Sequence, residues 1–452
     1  MRETSAGYAK EAYDIVNHAA KVIGSRLPGS KGEKSFADYM GEKLKSIGIT
    51  PKTEEFSVSP RSAIGGVPYA GYAGVIISIA AFFALEWHAV WFAMAAFGLV
   101  VTFWLISCCF LYKKWFDMFF PQKISQNVYG EMLPEDGKYD YTIMLSGHLD
   151  TSWCWRHSAR SYKNRENPLP GMIAIYAKVG FGAACYFLMF FISLFMAIVY
   201  AGEMADAAWA AAITGGEFFR WFLFALHFIP AVTAFGCCFV IQWNDPHEET
   251  ASRGAMDDAS GVALSFEVFK YLKEHPEKMP KNCRIVNVNL GSEESGLRGS
   301  MAFVEEHKND DRIKNVWNIN FDSIADEEHF NVIVKDDWQG CRFDGDLEEM
   351  FIETFKELGM RSKEGGSMHN PVGGCDSTPL TRAGIKSVTF AAQNPTLTYY
   401  YHTYYDMPER FDSETIGDGF EVVLGVIDKI AAYQEKNGFP GVKKSRDLKI
   451  GQ

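Results

Sequence analysis

Residues 141–150 read Tyr141-Thr142-Ile143-Met144-Leu145-Ser146-Gly147-His148-Leu149-Asp150. An apolar run of strand length, Tyr141–Leu145, breaks off into Gly, His and Asp. The same shape recurs downstream. Arg284–Leu290 predicts a strand ending at Gly291-Ser292-Glu293-Glu294, Val316–Phe321 one ending at Asp322, and Ile385–Ala391 a fourth. Helical periodicity lies between and around them, at Ser30–Ile47 (stopped by Gly48), Ser260–His275, Leu297–His307, Leu347–Leu358 and Ser413–Gln434. Strands alternating with helices imply an α/β sheet covered by helices on both faces. In open sheets of this kind, sites form beyond the carboxyl ends of strands.

At or near those ends stand His148, Asp150, Asp257, Asp258, Glu293, Glu294, Asp322, Asp376 and His402. Carboxylates gathered at one sheet edge repel each other, and a divalent cation relieves that repulsion. Imidazole with carboxylate and no thiolate suits zinc first, with manganese or cobalt as substitutes. Each residue alone reads most simply as a surface charge or a helix cap. A metal site is implied by their common position.

The chain has 452 residues, 48% apolar and 15% aromatic, which is too long for one small core and too apolar for disorder. Lys and Arg number 44 against 56 Asp and Glu, a net charge of −12 with no basic block, so no nucleic-acid partner is expected. The apolar residues concentrate in Val67–Leu85, Val90–Tyr112, Val179–Ala201 and Trp221–Trp243. Each has about the 20 residues that a helix needs to cross a bilayer, and soluble core helices rarely run so long without a charge. Trp87, Trp91, Trp104, Trp115, Trp221 and Trp243 lie at or near their ends, as at membrane interfaces. Glu86–His88 and Gly202–Arg220 join the stretches in pairs, giving two transmembrane hairpins and four transmembrane helices. His227 sits inside the fourth stretch, where it is expected to find a partner within the bundle.

Residues 1–60, 118–170 and 244–452 are then one domain, with 61–117 and 171–243 as inserted hairpins. Two crossings per insertion keep every candidate residue on one side of the membrane; three crossings would split them. The turns carry Glu86, Glu203, Asp206 and Glu217, with Arg220 near the membrane. The domain-side flanks carry Arg61, Lys113, Lys114, Lys163, Arg165 and Lys178, with Glu248 and Glu249 mixed in. The positive-inside rule places such a domain in the cytoplasm. Met1–Ile15 is charged throughout and does not read as a signal peptide. The nine cysteines show no paired spacing outside the apolar stretches, so no disulfide framework is expected.

His148-Leu149-Asp150, Gly254-Ala255-Met256-Asp257-Asp258-Ala259-Ser260-Gly261 and Glu293-Glu294-Ser295-Gly296-Leu297-Arg298-Gly299-Ser300 resemble the signatures of metallopeptidase family 28. That family includes bacterial leucyl-type aminopeptidases and glutamate carboxypeptidase. Asn320-Phe321-Asp322, Gly374-Cys375-Asp376 with Ala383-Gly384-Ile385, and Tyr401-His402-Thr403 continue the pattern in the family's order. The resemblance covers the chain outside the two hairpins. It implies a mixed central sheet flanked by helices and two zinc ions, one on His148 and Asp322, the other on Glu294 and His402, with Asp257 bridging. It also implies that Asp150 orients His148 and that Glu293 is the general base. Two departures are visible: Asp258 stands where Asn is also common, and Ser377 where His is frequent. Neither position is a ligand.

The function implied is a membrane-anchored zinc metallopeptidase, an aminopeptidase cutting N-terminal bonds of peptide substrates with a metal-activated water and a Glu base. Alternatives are a carboxypeptidase or a glutaminyl cyclase-like enzyme of the same superfamily, or a non-catalytic membrane scaffold or receptor. Ligands for two metals argue against a single-zinc cyclase, and the presence of every ligand and the base argues against a scaffold. The hairpins could also join copies of the chain into an oligomer. Gly24-Ser25-Arg26-Leu27-Pro28-Gly29-Ser30-Lys31 echoes a phosphate loop, but Lys does not directly follow the second Gly and no strand leads in, so no nucleotide site is expected. His247-Glu248-Glu249-Thr250-Ala251 lacks the second His of a zinc-binding helix, and no G-x-S-x-G elbow occurs. The run Tyr399-Tyr400-Tyr401 before His402 reads as packing.

Overall fold

The computed structural model describes residues 3–84, 87, 89–154, 171–214, 216–238, 251–309, 313–395, 399–411 and 413–439. Glu86, His88, Lys163, Arg165, Trp243, His247, Glu248 and Glu249, which carry part of the expectations above, lie outside them. The chain divides into two units: 1–60, 121–154 and 245–452 in the first, 61–120 and 155–244 in the second.

Among the described residues, the first unit's sheet contains β1 (Lys52–Val58), β2 (Lys123–Met132), β3 (Tyr141–His148), β4 (Cys283–Leu290), β5 (Val316–Ile324), β6 (Phe330–Asp336), β7 (Cys341–Arg342), β8 (Ser367–Asn370) and β9 (Lys386–Ala392). Their order is β1-β2-β4-β3-β5-β9-β6-β7, with β8 beside β6. β4, β3, β5 and β9 run parallel, and antiparallel β1, β2 and β6 flank them. The sheet is therefore mixed. At its centre, Met144 of β3 pairs with Val286 of β4 and Asn318 of β5. Successive side chains alternate between faces. Ile143 and Leu145 enter a layer with Phe36, Phe266, Trp317 and Phe390, while Met144 enters the other with Tyr129, Val286 and Phe303. Burial on both faces makes such a strand a near-continuous apolar run, which is why Tyr141–Leu145 is so plain in the sequence.

The helices form where their ends and faces dictate. Lys31–Ser46 begins where the Ser30 hydroxyl accepts the Glu33 N–H, and buries Phe36, Met40 and Leu44 at four-residue spacing. Gly345–Leu358 begins where Asp344 accepts the N–H groups of Asp346 and Leu347. Gly261–Glu274, Arg298–His307 and Ser413–Asn437 lie within a few residues of their expected bounds.

The sequence pattern does not predict helix Glu3–Asn17 or strands β1, β2, β6, β7 and β8. β1 alternates partly buried with exposed residues, Glu54 and Glu55 among them. β2 is buried but polar, because Ser125, Gln126 and Asn127 occupy its middle. Asn127 has a specific task there: its Oδ1 accepts the Gly291 N–H and its Nδ2 donates to the Gly299 carbonyl, both at 3.0 Å.

In the second unit, helices span Val67–Ala84, Val90–Trp104, Gly171–Met204, Ala208–Thr214 and Glu217–Cys238. Three described helices are long and apolar enough to cross a membrane: Val67–Ala84, Val90–Phe110 and Ala184–Met204. The segment expected to make a fourth crossing is helical over Glu217–Cys238 but does not join them. Large apolar side chains stay on the surface, with Phe82 56%, Val100 52% and Ile198 54% exposed. Inside, His227 is fully buried, its Nε2 2.9 Å from Ser193 Oγ and its Nδ1 2.9 Å from the Leu223 carbonyl oxygen. Cys108, Cys109 and Cys185 here, with Cys154, Cys283, Cys341 and Cys375 in the first unit, are buried and form no disulfide among the described residues.

Candidate metal centre

β4, β3 and β5 are adjacent and parallel, so their carboxyl ends open on one edge. His148 closes β3. Glu293 and Glu294 follow β4 in a single 3-10 turn, and Asp322 lies near the end of β5. Asp257 stands in the turn before helix Gly261–Glu274, with a non-helical φ of −115°, and a cis peptide joins it to Asp258. His402 belongs to the loop between β9 and the last helix.

The side chains converge. His148 Nε2 is 3.0 Å from Asp257 Oδ1. His402 Nε2 is 2.9 Å from Asp257 Oδ2 and 3.1 Å from Glu294 Oε1. Donor atoms of His148, Asp257 and Asp322 all lie within 4.8 Å of one another, and so do those of Asp257, Glu294 and His402. Asp257 belongs to both groups and turns one oxygen toward each histidine. Two imidazoles and three carboxylates, with no thiolate, make a nitrogen and oxygen donor set that fits two ions of the zinc type.

Burial strips carboxylates of water and disfavours their charge. It pushes Asp322 up to about 6 and Asp376 up to about 7. It raises Glu294, and lifts Glu293 and Asp258 well above the usual carboxylate range. Burial pulls His402 down, but Glu294 and Asp257 overcome it and bring the imidazole to about 10. His148 rises well above its ordinary value in the same way, through Asp150 and Asp257. Asp257 is also opposed by burial, yet His148 and His402 hold it below the ordinary range. The pocket concentrates more negative charge than its own side chains neutralise, and a divalent cation compensates such a cluster.

A second layer fixes the first. Asp150, fully buried, accepts the N–H groups of Glu293 and Glu294 at 2.8 and 2.9 Å. Its Oδ1 lies 3.5 Å from His148 Nδ1, so its shorter bonds go to the glutamate turn rather than to the imidazole. Asp258 accepts the His148 N–H at 3.0 Å and those of Gly261 and Ser323, each at 3.1 Å. Asp376 accepts the Ser300 hydroxyl at 2.5 Å. Asp258 and Asp376 belong to neither donor group. Ser292, at φ +56°, starts the turn that separates the neighbours: Glu294 is buried beside His402, and Glu293 is partly exposed.

One residue of this layer is not marked by sequence pattern. Asp406 accepts the N–H groups of Met256 and Asp257 at 2.8 and 3.1 Å. Its one signal is a carboxylate four residues after His402, which looks like any loop charge. The tyrosine run does pack: the Tyr400 hydroxyl donates to Asp326 at 2.6 Å, and the Tyr401 ring stacks on His402 with centroids 3.9 Å apart.

The profile of Peptidase family M28 matches residues 242–427, the part of the chain that contains Asp257, Glu293, Glu294, Asp322 and His402. Two solved structures of BSAP, a zinc aminopeptidase from Bacillus subtilis, share the fold. One is 15% identical with a TM-score of 0.51, over 98% of this chain and 96% of that one. The other is 14% identical with a TM-score of 0.50, over 97% of this chain and 98% of that one. No curated protein matches the chain by sequence. The profile match supports peptidase family M28, and the two structures agree with it in fold.

Proposed function

We propose that the chain is a membrane-anchored dizinc metallopeptidase of family M28, an aminopeptidase that hydrolyses N-terminal peptide bonds. The observation that carries this is Asp257, shared by two groups of His and carboxylate donor atoms. His148 and Asp322 would hold one zinc, Glu294 and His402 the other, with Asp257 between them. Bound there, zinc would supply Lewis acidity and lower the pKa of a coordinated water. Glu293 takes the proton of the attacking water and delivers it to the leaving amine. Burial and the nearby Glu294, Asp376 and Asp322 push its carboxyl up, which suits a group that holds a proton between those steps. Asp150 fixes the Glu293–Glu294 turn, Asp258 the backbone of His148, and Asp406 that of Asp257.

Three long apolar helices and the exposed apolar side chains of the second unit support anchoring in a bilayer. His148 and Asp257 are 3.0 Å apart, so the chain between them crosses an even number of times. On this reading Glu217–Cys238 supplies the second crossing of that insertion. Arg61, Lys113 and Lys114 flank the first insertion and favour a cytoplasmic catalytic unit.

Metal mass spectrometry on the detergent-purified chain is the test, with a panel of aminoacyl fluorophores on the same sample. About two zinc per chain and chelator-sensitive release of single amino acids are expected. Glu293→Gln is expected to keep the zinc and lose hydrolysis by about 10²–10⁴-fold. Hydrolysis at the wild-type rate would remove Glu293 as the base. A chain that takes up no zinc when zinc is supplied would remove the proposal.

A further inference from the structure

The N-terminal segment 24–33, Gly24-Ser25-Arg26-Leu27-Pro28-Gly29-Ser30-Lys31-Gly32-Glu33, has no role in the chemistry above. It nevertheless contains two charged side chains with no solvent exposure, Arg26 and Glu33. Arg and Glu are almost never fully buried unless their charges are met by partners. Those partners identify the task.

The Arg26 guanidinium spreads its donors over the backbone of two separate segments. Its Nε donates to the Leu149 carbonyl, its Nη1 to the Arg253 carbonyl and its Nη2 to the Gly254 carbonyl, each at 2.8 Å. The Arg26 N–H donates to Thr151 Oγ1 at 3.0 Å, and the Thr151 N–H returns a bond to the Arg26 carbonyl at 3.1 Å. His148 and Asp150 border the first of these segments, and Asp257 and Asp258 follow the second. Gly254 sits at φ +55°, where a Cβ would lie 2.7 Å from Arg26 Nη2 and would collide with Thr151. The glycine thus makes room for the guanidinium. Glu33 reaches the third segment: its Oε1 accepts the Ser292 N–H at 2.7 Å and the Ser292 hydroxyl at 2.9 Å, and its Oε2 accepts the Gly29 N–H at 2.8 Å. Ser292 immediately precedes Glu293 and Glu294.

We infer that Arg26 and Glu33 are positioning residues that set the zinc affinity of the site, by fastening segments 148–151, 253–258 and 292–294 to one buried stretch of chain. The inference rests on the dizinc proposal above. The planar guanidinium fork reaches carbonyls on two segments at once. The single ammonium of lysine cannot reproduce that span, although it keeps the charge. Geometry and charge can therefore be separated. Loss of the brace loosens the donors and weakens zinc binding whether or not the charge remains. Loss of a cation facing Asp406, Asp150, Asp258 and Asp257 would by itself strengthen zinc binding.

The test is zinc affinity of the full chain in detergent, measured by competition with a chromogenic chelator. Arg26→Lys and Arg26→Gln are both expected to weaken zinc binding by about 10–100-fold, the usual effect of removing a group that orients a ligand. Peptide hydrolysis is expected to return when zinc is raised to saturation. Lys31→Ala, an exposed change on the same segment, is expected to match the wild type. Should the Arg26 variants not fold, Thr151→Val and Glu33→Gln decide by the same measure, since each removes part of the brace. Wild-type affinity in every folded variant overturns the inference, as does a normal Arg26→Lys beside a tighter Arg26→Gln. Hydrolysis that stays lost at saturating zinc overturns it too. A wild-type chain that binds no zinc overturns instead the proposal on which it rests.

Discussion

Asp257 faces both histidines, so its removal strips both donor groups at once. Asp257→Ala is expected to take zinc content from about two per chain to below one, read by metal mass spectrometry. Retention of both ions would show that the groups do not depend on a common ligand. Asp150 is a separate case, because it serves backbone N–H groups. Asp150→Asn keeps one acceptor and turns an amide N–H₂ toward the other donor. A loss of about 10–100-fold in zinc affinity or activity is expected, with circular dichroism unchanged. The residues of the two donor groups were legible as candidates because each stands at or near the end of an apolar run or inside a Gly-rich turn. Asp406, Arg26 and Glu33 were not, because they act on the backbone of residues far along the chain. Nothing in a single sequence marks such a partner.

Elements differ in the same way. β3, β4, β5 and β9 are buried along their lengths, and their runs of Val, Ile, Leu and Phe predict them. β2 is likewise buried through its middle but places Ser125, Gln126 and Asn127 there, so its pattern resembles a loop. Helix Gly261–Glu274 contains a cost that its periodicity conceals. Glu267 is fully buried, and its carboxylate accepts no hydrogen bond among the described residues, with Lys270 Nζ 3.5 Å away. Burial pushes it up to about 7 despite Lys270. The folded value lies above the unfolded one of about 4.3, so the native state holds the proton more tightly. The stabilisation is complete below the unfolded value and is lost as pH rises through about 7. Glu267→Gln is therefore expected to gain on the wild type as pH rises from about 5 to 8, by on the order of 2 kcal/mol. Chemical unfolding of the full chain across that range reads the difference. A difference independent of pH would show that Glu267 titrates alike in both states.

At the scale of the molecule, chain topology links the two units. The donor residues fall before and after the second apolar insertion, and their assembly requires an even number of crossings there. Impermeant thiol labelling in intact cells tests the arrangement. Asp206→Cys, in the turn between apolar helices, is expected to react from outside, and Lys34→Cys only after permeabilisation. Reaction of both from outside would break the hairpin topology, and the reverse order would invert the membrane orientation. Sequence composition made the three long apolar helices legible, because uncharged stretches of bilayer length are rare elsewhere. The division of β3 from its partners has a consequence for biogenesis. Roughly 130 residues separate His148 from β4, and the three described helices of the second insertion, Gly171–Met204, Ala208–Thr214 and Glu217–Cys238, lie within them. At ribosomal speed, β3 waits on the order of 10 s for its neighbour. A newborn chain thus has neither a complete sheet nor assembled donor groups until every helix of that insertion has been made, so the candidate site comes together only late in synthesis.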